Sequence, residues 1–173
     1  MHRLVCHPAS QPVAARGVAA GAQRDPAGAL TLRFVLTADL AHVALPALRE
    51  PQRRDELWRH TCMECFIRTG GNAYLEFNFS PSREWAAYAF RGYRDAAPLP
   101  PAFDPRIAVK SHSDGIELEA TIPAAALAHV SSPWRVGLSA VMEETSGAIT
   151  YWALRHAPGK PDFHHAEAFA LEL

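Results

Sequence analysis

Residues 61–79, TCMECFIRTGGNAYLEFNF, restrict the possible folds of this chain more than any other stretch. Two β-prone runs flank Gly70, Gly71 and Asn72, a three-residue turn signal between strands. Successive strand residues point to opposite faces. If Glu64 lies across from Asn78, one face collects Met63, Cys65, Ile67, Leu75, Phe77 and Phe79. The other then collects Cys62, Glu64, Phe66, Tyr74, Glu76 and Asn78. A slip of one residue would set Glu76 beside Cys65 and mix oily with charged groups, so burial selects the register. The first face is core, and the second is where chemistry would sit.

The bulk numbers fit this picture. A chain of 173 residues suits a single domain, residues 1–173, with a sizeable core. With 49% hydrophobic and 20% charged residues, a folded chain is expected rather than a disordered one. The 17 basic residues are balanced by 18 acidic ones, so no net field draws a polyanion and nucleic acid is not an expected partner. The first 17 residues carry no unbroken apolar stretch, and no run of about 18 apolar residues occurs anywhere, so neither a leader nor a membrane partner is expected. A soluble, cytoplasmic protein is the expectation. Three cysteines suit reduced thiols. Cys62 and Cys65 form a Cys-x-x-Cys, but positions i and i+3 of a strand face opposite ways, so packing is the expected role.

Further strands are expected over residues 29–36, 85–90, 107–112 and 115–122, with a short helical segment after Pro123. Residues 135–143 and 150–156 read as a second long hairpin around the 144–147 turn, and 166–173 as a closing strand. Loops rich in proline are expected over 42–59 and 93–105. Turn signals at short intervals and the lack of long amphipathic helices predict an all-β fold. The expected form is an antiparallel two-sheet β-sandwich of jelly-roll type with one short helix.

Three groups of residues could carry chemistry. Trp58 stands six residues before Glu64, where a loop becomes the strand; an indole beside a carboxylate suits a sugar, whose apolar face stacks while its hydroxyls donate to the acid. Asn78 offers a donor and an acceptor opposite Glu64. The plainer reading packs Trp58 at the sandwich end and pairs Glu64 with an arginine. Glu64 and Glu76, diagonal on one face, could instead be the acid and base of a hydrolase or isomerase acting on a sugar derivative. The segment YWALRHAPGKPDFHH, residues 151–165, concentrates Tyr151, Trp152, Arg155, His156, Lys160, Asp162 and His164 around a turn. On a strand Trp152 shares a face with His156, so a second indole could oppose Trp58. His156, Asp162 and His164 could also ligate a metal, although their spacing matches no named motif, and no metal is expected.

Together LW-x2-TC-x-E-x-F (57–66), Y-x-E-x-NFSPS-x2-WAAY (74–88) and the 151–165 segment resemble bacterial DOMON-like proteins related to the type 9 carbohydrate-binding module. The resemblance implies a jelly-roll sandwich and sugar-binding ancestry. It implies that Trp58 and Trp152 sandwich a sugar while Glu64 binds its hydroxyls. It also leaves room for a structural calcium, with no other cofactor. The expected function is therefore non-catalytic binding of a sugar or sugar-like metabolite. Glu76, Asn78, His156, Lys160, Asp162 and His164 would complete the ligand-binding set. The alternatives are the enzyme above, or a structural domain whose aromatic patch binds a partner.

Overall fold

The computed structural model describes residues 1–98 and 103–173. In chain order the strands are β1 (His2–Arg3), β2 (Val5–Cys6), β3 (Ala15–Arg24), β4 (Leu30–Ala38), β5 (Cys62–Gly70), β6 (Ala73–Phe79) and β7 (Trp85–Gly92). They continue with β8 (Asp95–Ala97), β9 (Arg106–His112), β10 (Gly115–Ile122), β11 (Arg135–Glu143), β12 (Ile149–Ala153) and β13 (Leu171–Glu172). One sheet runs β1-β3-β4-β10-β9; the other runs β2-β12-β11-β5-β6-β7-β8, with β13 paired to the end of β11. Pairing within both sheets is antiparallel, and a single α-helix, Ala124–Leu127, lies among the described residues. The chain is an all-β sandwich.

Alternation explains the layers. In β4, Leu30, Leu32, Phe34 and Leu36 are buried while Arg33 points out. In β10, Ile116, Leu118, Ala120 and Ile122 do the same, and Arg33 grips Glu117 across the outer face through two bonds of 2.8 and 2.7 Å. From the second sheet Met63, Cys65, Ile67, Leu75, Phe77 and Phe79 enter the same core. The central hairpin has the register that burial requires, Glu64 opposite Asn78 and Phe66 opposite Glu76. Its turn needs glycine, because Gly70 and Gly71 adopt φ of 144° and 53°. Cys65 lies in the core and Cys62 beside Leu57 and Ala86 on the opposite face, so the two thiols do not meet.

Several expected boundaries move. The ten-residue β3 was not anticipated, because ARGVAAGAQR is rich in alanine and glycine and carries little β signal. The strand expected over 150–156 stops at Ala153, so Leu154 and His156 leave the sheet. The 166–173 segment is a 3-10 turn, Ala166–Ala168, followed by the two-residue β13. The expected 93–105 loop contains β8, and its residues 99–102 lie outside the described residues. No helix among the described residues is long and apolar enough to cross a membrane.

The second sheet departs from a half-wet sheet in one respect that matters for function. Residues 62–67 of β5 are buried on both faces. One end of its outer face is covered by the 42–59 segment, through Leu57 against Cys62 and Ala86. The other end is covered by the 154–170 segment, where Phe163 and Phe169 pack on Phe66 and Tyr74. A gap remains between the two covers.

Candidate functional site

That gap is a cleft of about 1180 Å³, and Glu64 and Glu76 form its floor. Its aromatic lining comes from three places: Trp58 on the 42–59 side, Tyr88 and Phe90 from β7, and Tyr151 and Phe163 on the 154–170 side. The ladder explains the β7 contribution, because Tyr88 lies opposite Glu76 and Phe90 opposite Tyr74. Trp58 sits in a 3-10 turn, Leu57–Arg59, entered through Glu56 in the left-handed region at φ 64°. The turn buries Leu57 and pushes the neighbouring indole outward, leaving Trp58 45% exposed at the cleft mouth. The Arg59 guanidinium lies over that ring, 5.0 Å from its centroid.

The floor is electrostatically unusual. Glu64 is 2% exposed and Glu76 5%, yet among the described residues no arginine or lysine bonds to either carboxyl. The expected pairing of Glu64 with an arginine is absent among the described residues; a Ser139 hydroxyl at 3.4 Å is its donor. Burial, followed by the charge of Glu76, raises the Glu64 carboxyl well above the usual range. Burial also pushes Glu76 up to about 7, against the opposing pull of its Asn78 bond and of Arg94. Burial thus favours the protonated form of both carboxyls.

Behind Glu76 runs a chain of polar contacts. Asn78 Nδ2 donates to Glu76 Oε1 at 2.8 Å, and Asn78 Oδ1, fully buried, has no partner among the described residues. His164 Nε2 stands 3.7 Å from Glu76 Oε2, while its Nδ1 is 2.8 Å from the Tyr74 hydroxyl. Burial, with the Arg94 charge, lowers His164 to about 4, so the imidazole is neutral and this contact is no ion pair. The Arg94 backbone N–H donates to the Tyr74 hydroxyl at 3.1 Å, which leaves that hydroxyl's proton for His164 Nδ1. Nε2 then carries the ring proton and faces Glu76. Asp162 anchors the loop: its oxygens accept from Tyr93 at 2.7 Å, from Arg94 at 3.0 Å and from the His164 backbone at 3.1 Å. Burial works against its charge, but the Tyr93 and Arg94 bonds outweigh it and hold the carboxyl below its ordinary value.

Of the residues expected at the site, Trp58, Glu64, Glu76, Lys160 and His164 line the cleft. Asn78 and Asp162 support it from behind. Trp152 does not reach it: the indole is 5% exposed within the core between the sheets, opposite Ala140, and donates to Thr150 Oγ1 at 2.9 Å. Tyr151, one residue earlier, takes the cleft face. The expectation of a second indole facing Trp58 is corrected accordingly. His156 is also elsewhere, bonded through Nε2 to the Val5 carbonyl at 2.8 Å and set edge-on to His7. It therefore does not meet Asp162 and His164, and among the described residues no three His, Cys, Asp or Glu side chains converge as metal ligands. Tyr88, Phe90, Phe163 and Arg94 were missed, and Tyr151, noted in the 151–165 segment, was not assigned to the cleft. For Tyr88 and Phe90 a signal was present, since extending the hairpin register into 85–90 places both on the Glu76 face.

No family model and no curated protein matches the chain. Its fold does match a crystal structure of a "putative carbohydrate-binding protein" from Bacteroides uniformis ATCC 8492. The TM-score is 0.62 at 14% identity, covering 96% of this chain and 82% of that one. At that identity the likeness is one of fold.

Proposed function

We propose that the cleft binds a sugar or sugar-like metabolite without turning it over, in a domain related to the DOMON-like proteins and type 9 carbohydrate-binding modules. The observation that carries this reading is the pair of buried carboxyls, bonded to no arginine or lysine among the described residues, on the floor of an aromatic-lined cleft. A carboxyl that keeps its proton both donates and accepts, which matches a hydroxyl, and a carboxylate beside it accepts from the next one. The exposed face of Trp58 supplies a stacking surface for the apolar side of a pyranose, with Tyr151 taking the place expected of Trp152. The fold neighbour's name agrees with this reading.

Calorimetry against a panel of neutral mono- and disaccharides tests it. Binding by the wild type, lost in Trp58→Ala at unchanged melting temperature, is the expected result; saturable binding untouched by that substitution would remove Trp58 and this cleft from the account. A second reading, a hydrolase or isomerase with Glu64 as acid and Glu76 as base, is favoured by one observation, the unequal environments of two neighbouring carboxyls. Turnover abolished by Glu64→Gln with binding retained would select it.

A further inference from the structure

Resting on the sugar reading above, we propose that the preferred ligand carries a free amine, held as an ammonium at Glu76, and that Asn78 is the positioning residue that keeps the floor's proton on Glu64 and its negative charge on Glu76. The argument begins at Asn78. Its Nδ2 is committed to Glu76 Oε1 at 2.8 Å, while Oδ1 is fully buried with no donor among the described residues. An unmade hydrogen bond at a buried amide oxygen is costly, and such atoms are rarely left orphaned. Directly across the ladder, on the same face, stands Glu64. A proton placed on Glu64 would be the donor that Oδ1 lacks, and would make one connected series from the Glu64 O–H to Asn78 Oδ1 and from Asn78 Nδ2–H to Glu76. One proton satisfies the series, and the remaining charge falls on Glu76.

Among the described residues that charge has no arginine or lysine bonded to it. The basic groups around the cleft are engaged elsewhere: Arg94 with Asp162, Arg59 with Glu56 and His60 with Glu143. Lys160 lies at the exposed rim, and His164, neutral, presents Nε2 from 3.7 Å. A ligand ammonium would be the missing counterion, and the surrounding faces of Trp58, Tyr88, Phe90 and Tyr151 suit a cation as well as a sugar ring. The chain already sets its own guanidinium over Trp58. A neutral sugar would gain the stacking but forgo the charge-assisted bond.

The test compares glucosamine, galactosamine and mannosamine, each with its parent hexose and its N-acetyl derivative, by calorimetry at pH 7, with ethanolamine as the bare amine. At least one amino sugar is expected to bind about tenfold or more tighter than both of its neutral relatives. Glu76→Gln should collapse that ratio, whereas Glu64→Gln should weaken the members of a set together and leave it standing. Equal affinity within every set overturns the amine but leaves the sugar reading intact; no binding by any sugar overturns both. Ethanolamine binding as tightly as the amino sugars overturns the sugar component. Carbon-13 carboxyl titration reads the proton directly. Glu76 should ionise before Glu64 in the wild type, and in Asn78→Leu the order should be lost. Glu64 ionising first in the wild type would overturn the assignment even if that variant fails to fold.

Discussion

Glu76→Gln should make the protein more stable, and only at high pH. In the folded state the Glu76 carboxyl titrates near 7, against an ordinary 4.5, chiefly because burial disfavours its charge. A raised folded value means that the native state holds its proton longer than the unfolded chain does. The stability tied to this group is thus fully present below about 4.5 and is lost as pH rises through about 7. At about 1.4 kcal/mol for each tenfold, the interval corresponds to about 3 kcal/mol at pH 8 and under about 1 kcal/mol at pH 5. Glutamine has the same shape, accepts the same Asn78 bond and cannot ionise. The variant should therefore exceed the wild type by about 3 kcal/mol at pH 8, roughly 6–12 °C in melting temperature for a chain of this size, and approach it at pH 5. Denaturant unfolding at the two pH values measures both differences. An advantage independent of pH, or a variant less stable than the wild type at pH 8, would refute the claim that burial of the Glu76 charge outweighs its Asn78 bond and the pull of Arg94.

Trp152 and Trp58 should behave oppositely: Trp152→Ala should cost about 3–5 kcal/mol in denaturant unfolding, while Trp58→Ala should change stability by less than about 0.5 kcal/mol and act on ligand binding. Phe66→Ala, which empties the space beside His164 and Phe169, should cost about 3–5 kcal/mol despite lying on the outer face of its sheet. Gly115→Ala should prevent folding or cost more than about 4 kcal/mol, because a Cβ there would lie 1.9 Å from the Leu36 carbonyl oxygen; recovery of a fully folded variant with wild-type stability would contradict the packing. The His164 imidazole should stay neutral from pH 8 down to about 5 in nitrogen-15 NMR, charging only near 4.

How legible the site was follows from how far each signal reaches along the chain. The 61–79 hairpin could be read with its register because two faces of contrasting polarity permit one alignment. The β11–β12 hairpin could not be oriented the same way: Tyr151 and Trp152 are both aromatic, and only pairing with β11, where Ala140 leaves room for the larger ring, turns Trp152 inward. β3 was missed because small residues fit a strand without announcing one. Most telling is the burial of Glu64 and Glu76. A period-two pattern marks them as polar-face residues, but their desolvation depends on segments 42–59 and 154–170 folding over the sheet, and no local signal reports what a distant loop covers.

The exposure of Trp58 has an optical consequence. The chain's other tryptophans, Trp85, Trp134 and Trp152, are each 6% exposed or less. A water-borne collisional quencher such as iodide therefore meets one fluorophore, and that fluorophore stands at the mouth of the cleft. Trp58 is thus a built-in dye at the place where a bound molecule would arrive, so occupancy can be followed by light without a label and without knowing in advance what the molecule is.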